Sequence, residues 1–182
     1  MSVPGFAVAS GAMEFRYCPR CGAELEMRRS HGPDPDRAAC PDCGFVHYDN
    51  PSPTVQAWIE RDDGSFLALR RAADPLRGEW NMPGGFVESG EGGPEAIARE
   101  VREETGLEIE VVAVIGVFPS TYGNAIGAQS IFDVAYLCRL AGGDLEVSDE
   151  SSEAAWFDLE SFPVPAFAGE RRALAELRAS RR

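Results

Sequence analysis

Six glutamates crowd the stretch GGFVESGEGGPEAIAREVREETGL between Gly84 and Leu107: Glu88, Glu91, Glu95, Glu100, Glu103 and Glu104. Pro94 opens a helix and Gly106 closes it, so the intervening residues wind at about 100° per residue. At that pitch Glu100, Glu103 and Glu104 share an arc of roughly 100°, beside an apolar stripe of Ile97, Ala98, Val101 and Thr105. Like charges at these spacings repel one another, and more strongly where water is excluded. A solvated acidic face held by arginines is the plain alternative, and Glu95 and Arg99 stand in the order that favours an i,i+4 pair. Yet Arg99 and Arg102 lie to one side of the arc and are too few to neutralise Glu91, Glu100, Glu103 and Glu104 together. Divalent cations are the natural complement, Mg²⁺ in particular, because it takes a few carboxylates along with waters and substrate phosphates.

A second group of ligand-type residues lies upstream. CPRCG at Cys18–Gly22 and CPDCG at Cys40–Gly44 form two CxxC pairs with 18 residues between them, within the spacing of a four-thiolate zinc site. Each pair sets two sulfurs on one tight turn, and the glycine after the second cysteine is expected to let backbone N–H groups approach the thiolates. Four thiolates leave no open position, so this metal is structural. Disulfides are the competing reading. The fifth cysteine, Cys138, falls in an apolar strand pattern and reads as core; His47 reads as a linker residue and His31 as part of a loop.

Thirty acidic and 17 basic side chains give a formal charge of −13, which repels nucleic acid and anionic membranes. The ribbon segment has five arginines (Arg16, Arg20, Arg28, Arg29, Arg37) against seven acids, so it forms no basic face. It reads as a scaffold or a dimer contact, and nucleic acid is an unlikely partner. The opening MSVPGFAVASGAM lacks a basic n-region and is broken by Pro4, Gly5, Ser10 and Gly11, so it reads as a flexible extension over residues 1–13. No stretch approaches the roughly 20 apolar residues of a membrane helix. With unpaired CxxC thiols, a cytoplasmic location is expected.

The elements that must position the acids follow from periodicity. The cysteine-rich segment spans 14–50, and NPSP at Asn50–Pro53 reads as a stiff linker to a domain over 53–182. TVQAWIE and SFLALR alternate around RDDG as two antiparallel strands; EIEVVAVIGVF, AQSIFDVAYLCRL and AAWFDL have strand composition, and RAADPLRGEWNMPGG reads as a long loop. Residues 169–182 read as a helix with Glu170 near its start and Arg178, Arg181 and Arg182 near its end. This order predicts an α/β (α+β) domain, a mixed sheet with helices packed on it.

Gly85, Glu91, Arg99, Glu100, Val101, Glu103, Glu104, Gly106 and Leu107 match without departure the signature of Nudix hydrolases: Gly, five residues, Glu, seven residues, Arg-Glu-apolar-x-Glu-Glu-x-Gly-apolar. With its cysteine pairs, the whole chain resembles Nudix hydrolases that carry an N-terminal zinc ribbon. The resemblance implies an α/β/α sandwich and hydrolysis of a nucleoside diphosphate linked to another moiety, with Mg²⁺ or Mn²⁺. It implies Glu100 and Glu104 as principal ligands, Glu103 as ligand or base, the Gly85 carbonyl completing a coordination sphere, Glu91 supporting the cluster, and Arg99 orienting the acids. Glu150 and Glu153, in SDESSEAAWF, are candidates for a general base on a later loop.

For the substrate, the resemblance favours ADP-ribose or FAD. NADH pyrophosphatases of the same build share a SQPWPFPxS motif, and the corresponding run here, GVFPSTYGNAIGAQSIF, lacks it. NADH or dinucleoside polyphosphates are alternatives within the family; a non-catalytic nucleotide sensor or a nucleic-acid-binding zinc module is the alternative outside it. Trp80, Phe118 and Tyr122 are candidates to stack a purine or flavin ring.

Overall fold

The computed structural model describes residues 15–29, 35–123 and 128–181; the N-terminal extension and His31 lie outside them. The chain divides between Asn50 and Pro51 into two compact units. The first holds two short strands, β1 (Glu26–Arg28) and β2 (Arg37–Ala39), paired antiparallel with Met27 opposite Ala38. Each CxxC pair is a knuckle closed by its glycine: the N–H of Gly22 donates to the Cys18 carbonyl and that of Gly44 to the Cys40 carbonyl. Both glycines have φ above +70°, where a side chain is strained. With the turns closed in this way backbone N–H groups reach the sulfurs, as the sequence suggested: Arg20 N–H donates to the Cys18 thiol at 3.4 Å, and the N–H groups of Ala23 and Phe45, each just after its glycine, are directed to Cys21 and Cys43. His47 packs on Phe15 with ring centres 4.7 Å apart and stays out of the thiol cluster.

In the second unit, β3 (Ser52–Glu60), β4 (Ser65–Arg71), β5 (Trp80–Asn81), β6 (Gly84–Phe86), β7 (Leu107–Tyr122), β8 (Gln129–Gly143) and β9 (Ser151–Asp158) form one mixed sheet. Strand β3 is its centre. It runs parallel to β8 along its whole length, with Thr54 opposite Asp133, and antiparallel to β6 at Thr54–Gln56. The expected hairpin of β3 and β4 closes at Glu60–Phe66 and then opens, because β6 takes up the antiparallel edge of β3 further along. The long loop before the acidic helix is thus interrupted by β5 and β6.

Two helices cover the sheet. Strand alternation sends Val55, Ala57, Ile59, Leu67 and Leu69 to one face, where α1 (Gly93–Thr105) buries Ala96, Ile97 and Val101. It sends Trp58, Phe66, Ala68 and Ala135 to the other, against Ala173, Leu174 and Leu177 of α2 (Ala168–Ser180). The result is the α/β/α sandwich. The buried stripe of α1 contains Ala96, with Ala98 half-buried beside it, one step from the predicted stripe. Cys138 is fully buried on the α1 face, as expected of a core residue. Glu170 stands in the first turn of α2, as expected of a helix-dipole partner, and is buried there: its carboxylate accepts the N–H groups of Phe167 and Met82, each at 3.0 Å, tying the start of α2 to the residue that follows β5. Among the described residues, no helix is long and apolar enough to cross a membrane.

Candidate active site

The four sulfurs of Cys18, Cys21, Cys40 and Cys43 lie within 4.8 Å of one another, with Cys18–Cys43 at 3.6 Å and Cys21–Cys40 at 3.5 Å. A tetrahedron with Zn–S bonds of about 2.3 Å needs S···S separations of about 3.8 Å, so the cluster fits a zinc ion closely. All four are free thiols, which removes the disulfide reading. Purified protein is expected to contain about one zinc per chain, and serine at Cys18 or Cys40 to lose it. Elemental analysis checks this; a metal-free preparation in which residues 16–49 remain folded contradicts it.

In the second unit, the turn from β6 to α1 sets the acids around Arg99. Its Nε and Nη2 donate to the two Glu91 oxygens at 2.9 and 3.0 Å, and its Nη1 to Glu100 at 2.9 Å and Glu103 at 3.2 Å. Nη2 also donates to the Phe86 carbonyl at 3.1 Å, pinning the guanidinium to β6. Arg99 therefore turns away from the predicted partner Glu95 and serves three other acids at once, as its planar fork allows. Its pKa is pushed up, chiefly by the Glu91 hydrogen bonds, and Glu91 is correspondingly held low by Arg99.

Glu104 is left out of this network. Among the described residues its carboxylate accepts the Gly84 N–H alone, at 3.0 Å. Burial pushes its pKa up to about 8 against that hydrogen bond, and the nearby charges of Glu100 and Glu150 push the same way. Glu100 is also shifted up, first by burial, in spite of Arg99. Gly85 explains how Glu100 lies so close to the sheet: a Cβ there would sit 2.5 Å from the Glu100 carboxylate oxygen. Two half-buried carboxylates that repel each other, with Arg99 divided among three acids, form an electrostatic deficit that a divalent cation would relieve.

A cavity of about 520 Å³ opens at these residues. Gly84, Gly85, Glu100, Glu104 and Glu150 line it; Glu91, Arg99 and Glu103 do not. Glu103 stands on the outer side, its side chain 61% exposed. Of the two loop candidates, Glu150 is in the cavity wall, whereas Glu153 pairs with Arg70 at 3.2 Å on the surface.

The N-terminal segment matches the model described as "Nudix N-terminal" over residues 16–49, and the rest matches the NUDIX domain over residues 50–177. The chain belongs to the Nudix hydrolase family. It is 36% identical over 124 residues to an ADP-ribose pyrophosphatase of Methanocaldococcus jannaschii, covering 68% of this chain and 72% of that one. It is 32% identical over 184 residues to the NAD-capped RNA hydrolase NudC of Pseudomonas aeruginosa, covering 98% of this chain but only 61% of NudC. Among solved structures, a NUDIX hydrolase from Nitrosomonas europaea superposes with a TM-score of 0.72 at 28% identity, over 90% of this chain and 93% of that one.

This Nudix cavity also contains residues that motif reading missed. Asp133, Glu170, Asn81, Arg71, Phe86 and Phe167 line it. Arg71 is the one basic residue among the described lining; its Nε donates to the Pro75 carbonyl at 2.6 Å and its guanidinium lies over Phe167. Of the three aromatics proposed to stack a base, Tyr122 lines the cavity, between Phe86 and Phe167. Trp80 packs edge-on against Phe157 and Phe118 against the α2-side core, so both are structural. The missed acid had a signal: Asp133 is a lone carboxylate in the apolar run SIFDVAYLC, where a charge is costly without a purpose.

Proposed function

We propose that this chain hydrolyses the pyrophosphate of a nucleoside diphosphate linked to another moiety, with ADP-ribose or FAD as the leading candidates, releasing a nucleoside monophosphate. The single observation that carries the reading is Glu104, a half-buried carboxylate at a cavity wall that feels the charges of Glu100 and Glu150 and has no hydrogen bond to a basic side chain among the described residues. We assign residues 53–182 to catalysis and 14–50 to the zinc-holding module.

Glu100 and Glu104, with the Gly85 carbonyl, would hold Mg²⁺ or Mn²⁺. When bound, these ions neutralise the pyrophosphate oxygens and activate a water for attack at phosphorus. Arg99 keeps Glu100 and Glu91 in place, and Glu103 buttresses Arg99 from the outer side. Glu150, in the cavity wall, would take a proton from the attacking water, and Arg71, which lines the same cavity, would offer its guanidinium to a phosphate oxygen. The apolar walls at Phe86, Tyr122 and Phe167 accept the planar ring of the nucleotide.

The match to NudC along nearly the whole chain supports a second reading, an NAD-derived substrate; the absent SQPWPFPxS motif argues against it. A panel of ADP-ribose, FAD, NADH and dinucleoside polyphosphates, with Mg²⁺ or Mn²⁺ and products separated by chromatography, decides between them. The leading reading expects kcat/KM for ADP-ribose or FAD to exceed that for NADH by about tenfold or more, a difference on the order of 1.4 kcal/mol in transition-state binding. NADH as the best substrate would select the second.

A further inference from the structure

The cavity has two chemically different ends. Glu100 and Glu104 reach it from the α1 side of the sheet. Thr54 and Gln56 share a face of β3 with Trp58, the α2 side, and both donate to Asp133: Thr54 Oγ1 to Oδ1 at 3.0 Å and Gln56 Nε2 to Oδ2 at 2.5 Å. Gly169, in the first turn of α2, packs over it, a Cβ there falling 2.5 Å from Oδ2. Repulsion divides the acids in the same way. Glu104 feels Glu100 and Glu150, whereas Glu170 feels Asp133, and Arg71 attracts both Glu104 and Glu170 and so stands between the groups.

The hydrogen-bond polarity at the α2-side end is fixed by chemistry. An indole N–H can only donate, and Trp58 Nε1 donates to Gln56 Oε1 at 2.9 Å. The amide therefore turns its NH₂ to Asp133, which must accept. Each Asp133 oxygen then keeps a lone pair, and the side chain lines the cavity while the residue is only 5% exposed. An independent observation points the same way. Asn81 lines the same cavity, is 8% exposed, and donates its Nδ2 to the Met82 carbonyl, leaving Oδ1 with no partner among the described residues. This end thus has acceptors in want of donors, and its charge excludes phosphate.

We propose that Asp133 is a specificity-determining residue that accepts a hydrogen bond from an amino N–H on the nucleobase of the substrate, while the pyrophosphate lies at the Glu100–Glu104 end. This rests on the nucleotide reading above and narrows it to substrates whose base carries an amino group. The aromatic surfaces of Tyr122 and Phe167 in the same cavity favour a flat ring over a sugar as the donor. Burial holds the Asp133 pKa above the usual carboxylate range despite its two donors, so a third donor is welcome there.

The test is equilibrium binding, with Mg²⁺ present, of adenosine 5′-monophosphate, of purine riboside 5′-monophosphate, which lacks only the amino group, and of 2′-deoxyadenosine 5′-monophosphate. The natural protein is expected to bind the amino compound on the order of tenfold more tightly than purine riboside monophosphate and to be indifferent to the 2′-hydroxyl. In Asp133→Asn the preference shrinks, and in Asp133→Ala it disappears, with zinc content and circular dichroism as controls of folding. A merely structural Asp133 would lower all affinities together and leave the ratio unchanged, which overturns the proposal. So does a ratio near one in the natural protein, or a loss confined to the 2′-deoxy compound. Binding with the expected ratio but no hydrolysis of any nucleoside diphosphate derivative would defeat the proposed activity while leaving the base contact standing.

Discussion

Glu104→Gln is expected to lower turnover by about 100- to 1,000-fold at saturating Mg²⁺, with the fold intact. The amide keeps the volume of the carboxylate and still accepts the Gly84 N–H, so what it removes is the charge that a cation needs. Because burial already pushes the Glu104 pKa to about 8, the neutral side chain is no burden to the empty fold. Its thermal midpoint should therefore match or exceed that of the natural protein measured without divalent cations. Glu100→Gln should behave alike in activity, its remaining oxygen still receiving Arg99. Steady-state kinetics alongside thermal melts check both, and near-normal turnover in either variant at saturating Mg²⁺ would remove that carboxylate from the metal site.

Gly85→Ala is expected to reduce kcat by about 100-fold for a different reason. The new Cβ would sit 2.5 Å from a Glu100 carboxylate oxygen, and that carboxylate is the far end of a flexible side chain, so it swings aside at little cost to stability. Once displaced, it no longer lies against Gly85. A ligand moved by about 1 Å is enough to cost activity of this order. Gly84→Ala should fail otherwise, because its Cβ would run into the backbone carbonyl of Val55 and must disrupt the β3–β6 pairing. The pair separates a chemical from a structural loss: Gly85→Ala is read as low kcat with a near-normal melting temperature, and Gly84→Ala as a lowered melting temperature. A Gly85→Ala enzyme with full activity would show that Glu100 need not lie against β6.

Local patterns revealed the acidic helix, the cysteine pairs and the five longer strands β3, β4, β7, β8 and β9, because each depends on spacing within a few residues. The helix ends at Gly106 and the ribbon glycines have positive φ, features that a single residue type announces. What remained hidden depends on pairing between distant segments. Asp133 meets Thr54 because β3 and β8 run parallel, a register that no short window of sequence encodes. Arg99 forsakes Glu95, its neighbour in helical spacing, because the end of β6 at Phe86 and the turn carrying Glu91 offer it acceptors instead. Helical periodicity also grouped Glu103 with Glu100 and Glu104, yet the curvature of the helix surface leaves Glu103 outside the cavity while its two companions line it.

The most direct measurement of the central claim is hydrolysis of ADP-ribose in ¹⁸O-labelled water with Mg²⁺ or Mn²⁺, with the products examined by mass spectrometry. Attack at phosphorus predicts AMP and ribose 5-phosphate, one of them carrying a single ¹⁸O in its phosphate. Free adenine, or label found only in a ribose hydroxyl, would mean cleavage at a glycosidic carbon and would contradict the pyrophosphatase account.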